Sequence, residues 1–124
     1  MSKVPLVSII DDNDSVGWTV ATLIGSAGFE ALVFPSAQEF ILSDRMYCTA
    51  CLIVDAQLTG MSGLQLQSHL AAAGRHIPII FINASADVAA RSRASQLGAL
   101  NVLDKPSSNE ALLKEVRLIL KYRN

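Results

Sequence analysis

Cys51-Leu52-Ile53-Val54-Asp55-Ala56-Gln57-Leu58-Thr59-Gly60-Met61-Ser62-Gly63 is the stretch on which the fold turns. Leu52, Ile53 and Val54 run straight into a carboxylate and then into a loop with two glycines. Apolar, β-branched runs bounded by turn residues read as buried strands, so Asp55 is expected at a strand's C-terminal end. In open parallel α/β sheets, ligands and chemistry gather on the rim beyond those ends. An acid released there is placed to act as a nucleophile or a metal ligand.

Working outward, the same unit recurs. Val4 to Ile10 reads as a first strand, with Pro5 tolerated near its start, and it ends in Asp11, Asp12, Asn13 and Asp14. Residues 15–27 then carry Val16, Val20, Leu23, Ile24 and Ala27 at helical spacing, capped by Asn13 or Asp14 and stopped by Gly28. A second strand spans Glu30 to Phe34, and a helix over 37–43 turns Phe40 and Ile41 inward. The third strand is Ala50 to Val54, followed by a helix from Ser62-Gly63 to about Ala73 with Leu64, Leu66 and Leu70 apolar.

Ile77 to Ile82 forms a fourth strand ending at Asn83-Ala84-Ser85, and an alanine-rich helix covers 87–97 before Gly98. Leu100 to Leu103 closes the sheet and ends in Asp104-Lys105-Pro106. Ser107 or Ser108 caps a last helix to about Tyr122, with Leu112, Leu113, Val116 and Leu120 facing in. Five strand–helix pairs with short connections imply a parallel sheet covered on both faces. The expected architecture is a three-layer, doubly wound (βα)5 sandwich with strand order 2-1-3-4-5. Its 124 residues fit one domain over 1–124, with no output domain in this chain.

Composition narrows the function. An apolar fraction of 51% with 17% charged residues suits a compact core. A net charge of -1 gives no footprint for direct nucleic-acid or membrane binding, and no apolar run is long enough to span a bilayer. The N-terminus lacks the features of a signal peptide, so a cytoplasmic location is expected. Cys48 and Cys51 make a lone C-x-x-C without the second ligand pair of a zinc site, and Cys51 reads as a small buried apolar residue.

The strand ends carry the chemistry. Strand 1 delivers Asp11 and Asp12, strand 3 Asp55, strand 4 Asn83 and strand 5 Lys105, and the expected order makes these strands neighbours. Three crowded carboxylates raise one another's pKa unless a cation sits among them, and a hard divalent ion such as Mg²⁺ answers that need. An acid nucleophile with Mg²⁺ and a lysine suits phosphoryl transfer onto a carboxylate.

These residues carry a resemblance. Ile9-Ile10-Asp11-Asp12-Asn13-Asp14-Ser15-Val16, the Asp55 to Gly63 loop, Gly98-Ala99 and Lys105-Pro106 resemble the CheY-like receiver domains of two-component response regulators. Essentially the whole chain is covered, and it looks most like receivers that precede LuxR-type helix-turn-helix domains, as in the LuxR/FixJ-type regulators. The resemblance implies that Asp55 accepts a phosphoryl group from a sensor histidine kinase or phosphotransfer protein. It implies that Asp12, Asp55 and the Gln57 carbonyl hold Mg²⁺, with Asp11 assisting through water. Lys105 would pair with the phosphoryl group, and the Ala84 backbone would contact it. Such a domain is no general enzyme and catalyses only its own phosphorylation and dephosphorylation.

Two positions depart from the family pattern. Asn83 stands where Thr or Ser is usual, and Val102 replaces the aromatic switch residue of strand 5. Leu58-Thr59 also replaces the usual Met-Pro. The acceptor chemistry is therefore expected intact and the relay altered. A phosphorylation-independent interaction module is the alternative. A haloacid-dehalogenase-like phosphatase is a remoter one, because Asp12-Asn13-Asp14-Ser15-Val16 fits its D-x-D-x-[TV] pattern without a cap domain or a late acidic pair. Trp18 lies about 200° round its helix from Val16 and is expected to face outward as a partner contact or to pack on a surface neighbour. The bases at Arg91 and Arg93 and at Lys114, Arg117, Lys121 and Arg123 are read as solvated helix faces or the edge of a homodimer surface.

Overall fold

The computed structural model describes residues 4–55, 58, 60–61, 63–82, 101–102 and 109–121, excluding the side chains of 63, 64, 101 and 102. The expectations for Gln57, Thr59, Asn83, Ala84, Ser85, the helix over 87–97, Gly98, Lys105, the Ser107 or Ser108 cap and the Val102 side chain lie outside the described residues.

In chain order the elements are β1 (Leu6–Ile10), α1 (Asp14–Ser26), β2 (Glu30–Phe34) and α2 (Ala37–Leu42). A 3-10 turn (Arg45–Tyr47), β3 (Thr49–Asp55), α3 (Gly63–Ala72), β4 (Ile79–Ile82), β5 (Asn101–Val102) and α4 (Asn109–Lys121) follow. All described strand pairs are parallel, and the sheet order is β2-β1-β3-β4-β5, as the alternation of strands and helices predicts. Some boundaries move. β1 and β4 begin two residues later than expected, each just beyond a proline, whose missing N–H cannot join the ladder. β3 is longer than expected, so Asp55 is the last residue of the strand rather than the first beyond it.

Period-two alternation divides the core. Ile10, Leu52, Val54, Ile79 and Phe81 pack on one face with Phe40 of α2 and Leu66 and Leu70 of α3. Val7, Ile9, Cys51, Ile53, Ile80 and Ile82 pack on the other with α1 and α4. Cys51 is fully buried, as its apolar reading expects. In α4, Leu112 and Val116 are buried and Leu113 and Leu120 half-buried, and Ile119 joins the core as well.

α1 starts where its sequence says it should. The Asn13 side chain accepts from the Val16 N–H at 3.2 Å, and Gly28, at φ 96°, takes the left-handed turn that ends the helix. Within it, Gly17 faces β2 so closely that an added Cβ would lie 2.8 Å from Val33 Cγ1, whereas one at Gly25 would meet nothing within 4 Å. Helix propensity favours Ala over Gly by about 1 kcal/mol at each site, but overpacking costs about 1–3 kcal/mol. Gly25→Ala should therefore raise the urea midpoint and Gly17→Ala should lower it. A midpoint raised equally by both would show that α1 does not rest on Val33.

Candidate functional site

β1 and β3 are neighbours, with Ile9 opposite Ile53 and Ile10 opposite Val54. One further step along that register sets Asp11 beside Asp55, across strands whose spacing is about 4.8 Å. Both acids have the parity of the residues that pack toward α1 and α4, so the pleat aims them to the same face. Asp55 stays in the ladder opposite Ile82 of β4, at the end of a strand that lies between β1 and β4. Asp12 follows on the loop into α1 and is exposed.

The carboxylates of Asp11, Asp12 and Asp55 meet, each with one oxygen within 4.8 Å of the other two. Asp55 is buried and Asp11 is almost sealed, at 1% exposure. The Asn13 backbone N–H donates to Asp11 Oδ1 at 2.8 Å, the short Asx turn that an acid two residues before a helix cap can form. Asn13 thus holds the acid through its backbone and starts α1 through its side chain. The Asp-x-Asn spacing carries both signals, although the helical pattern that follows draws attention to the cap alone. Oδ2 of Asp11 is buried, and no donor to it is found among the described residues.

That arrangement shifts Asp11. Burial pushes its carboxyl up to about 6, the Asn13 N–H opposes the rise, and the charges of Asp55 and Asp12 add to it. A buried carboxylate oxygen without a donor, among three acids, is what a hard oxygen-seeking cation relieves. The three acids could therefore hold a metal ion. Trp18 lies as expected on the outer side of α1, with 73% of its surface exposed. The two groups expected from strands 4 and 5, Asn83 and Lys105, fall outside the described residues.

Comparison with known proteins agrees with this geometry. The response regulator receiver domain model matches residues 7–117. Nodulation protein W of Bradyrhizobium diazoefficiens is 38% identical over 111 residues, covering 90% of this chain and 49% of that protein. Response regulator protein TmoT of Ectopseudomonas mendocina is 35% identical over 116 residues, covering 94% and 53%. The chain thus spans about half the length of these curated relatives. The structure of response regulator StyR is 38% identical with a TM-score of 0.87, over 96% of this chain and 60% of that one. FixJ-N matches in fold alone, at 24% identity and a TM-score of 0.86 over 100% and 98%. Adjacent parallel strands that end in clustered acids, and a match running from β1 into α4, lead to one conclusion: this chain belongs to the response regulator receiver domain family of two-component systems.

Proposed function

We propose that Asp55 is the phosphoacceptor, taking its phosphoryl group from a histidine kinase or phosphotransfer protein. The observation that carries this reading is the meeting of Asp11, Asp12 and Asp55 at the C-terminal ends of β1 and β3. A lone pair on an Asp55 carboxylate oxygen forms the new O–P bond as the P–N bond to the donor histidine breaks. The imidazole leaves with that electron pair and takes up a proton. Asp12, Asp55 and the Gln57 carbonyl are the groups that would hold Mg²⁺, with Asp11 steadying a bound water. Bound Mg²⁺ would offset negative charge on the acids and on the transferring oxygens. Lys105 pairs with the phosphoryl oxygens, and Asn83 and the Ala84 backbone donate hydrogen bonds to them.

Receiver domains are regulatory modules rather than classical enzymes, and the family match over residues 7–117 supports this reading over the phosphatase alternative. The output in this reading differs from the usual hydroxyl–aromatic coupling. The Asn83 amide is longer and planar where a hydroxyl is usual, and Val102 has no ring to swing. No helix among the described residues is long and apolar enough to cross a membrane.

Intact-protein mass after incubation with acetyl phosphate, with and without Mg²⁺, tests the acceptor chemistry. One phosphoryl increment that requires Mg²⁺ is the expected result. A folded, Mg²⁺-loaded chain that takes none from acetyl phosphate or from a phosphorylated donor would instead favour the phosphate-independent module.

A further inference from the structure

The charges of this chain are sorted along the sequence. Residues 4–44 hold Asp11, Asp12, Asp14, Glu30, Glu39 and Asp44 and not one Lys, Arg or His. All ten Lys and Arg lie at Lys3 or from Arg45 onward. A net charge near zero thus conceals an acidic α1–β2–α2 side. β2 is the edge strand and α1 packs over it, whereas α4, which carries Lys114, Arg117 and Lys121, packs over β3. The β2 flank of α1 therefore faces away from the bases of α4.

On that flank is a cleft of about 370 Å³ lined by Asp14, Trp18 and Val33. Asp14 and Trp18 are one helical turn apart and share a face of α1. Val33 comes from the edge strand, and the close seating of α1 at Gly17 brings the helix down against it. The cleft thus joins an exposed indole, a carboxylate and an apolar floor. We infer that this cleft receives an arginine side chain from a basic segment of a protein partner. A guanidinium can lie flat on the indole while its N–H groups reach the Asp14 carboxylate, and its methylenes cover Val33. An ammonium is a strongly hydrated point charge and satisfies only part of this set. An apolar partner side chain would leave the exposed Asp14 carboxylate to water and gain nothing from it. The excess of acids over residues 4–44 makes the β2 side of the domain negative and steers a basic segment toward it before contact. This inference does not depend on phosphorylation of Asp55, so either can fail alone.

Trp18 is the single tryptophan, so its fluorescence reports the cleft directly. The native chain is titrated with N-acetyl-arginine amide, N-acetyl-lysine amide and N-acetyl-citrulline amide. Amide resonances of Trp18 and Val33 are followed in parallel. The arginine compound should saturate at roughly millimolar concentration, the lysine compound should bind about threefold more weakly, and citrulline should not saturate. Asp14→Asn should weaken the arginine response by about threefold, with an unchanged urea midpoint showing that the variant is folded. Citrulline saturating like arginine, an unchanged response in Asp14→Asn, or a purely linear collisional response each overturns the inference. So does a shift of the same resonances with protein concentration alone, which would give the cleft to a second copy of this chain.

Discussion

Asp55→Asn is expected to take up no phosphoryl group from acetyl phosphate and Mg²⁺, while Asp11→Asn and Asp12→Asn keep slower but measurable uptake. Three carboxylates share the site, and the prediction depends on which of them can attack. Asp11 is almost sealed, with Oδ1 tied to the Asn13 N–H at 2.8 Å. Asp12 is exposed on a loop and not held by the ladder. Asp55 is buried and ends a central strand, opposite Ile82. Of the three only Asp55 is held in the ladder, and on the proposed function it is the acid that meets an incoming phosphorus, where positioning contributes most to such a transfer. An amide in place of the Asp55 carboxylate keeps the shape and removes the anionic nucleophile. Intact-protein mass and peptide mapping check it. Equal labelling of the native and Asp55→Asn chains would move the nucleophile to another residue.

Sequence is informative in this chain where one residue type meets one periodicity. Unbroken β-branched runs ending in acids imply the parallel sheet, and the register that sets Asp11 beside Asp55 follows from two strands reaching the same rim. Contacts between distant segments are what it conceals. The buried Ser8 hydroxyl bonds Thr49 Oγ1 at 2.7 Å, and Thr49 also donates to the Arg45 carbonyl, so a polar pair links β1 to β3 inside an apolar layer. Neither residue is marked by its neighbours in sequence. Arg75 Nη2 similarly donates to the Met46 and Tyr47 carbonyls, with the guanidinium 5.4 Å from the Tyr47 ring centre, and so ties the approach to β4 to the 3-10 turn. Gly17 reads as a weak point in a helix until Val33 is seen beneath it. The outward Trp18 is legible from helical geometry alone. The cleft beside it is not, because Val33 belongs to another element.

Asp11→Asn should bind Mg²⁺ about 10–100-fold more weakly than the native chain, the usual cost of losing an acid that orients a metal's shell. In the absence of Mg²⁺ the same substitution should make the fold more stable at neutral pH, the opposite of what loss of a structural residue would do. The sign follows from linkage. The Asp11 carboxyl is raised from 3.8 to about 6 in the folded protein, chiefly by burial and further by the charges of Asp55 and Asp12. Folded protein therefore holds more protons than unfolded chain between those values. Its contribution to stability is present in full below about pH 4 and is lost as pH rises through about 6. Asparagine does not titrate, so the difference in urea stability between Asp11→Asn and the native chain should grow across that window and level off above it. Saturating Mg²⁺ should reduce or reverse the difference at pH 7, because the ion binds the ionised native acids and stabilises the fold by mass action. A variant less stable than the native chain at pH 7 without Mg²⁺ would mean that Asp11 serves packing. A variant that is more stable but binds Mg²⁺ poorly would show that the acids of this rim are kept close, at a cost in stability, for the cation they hold.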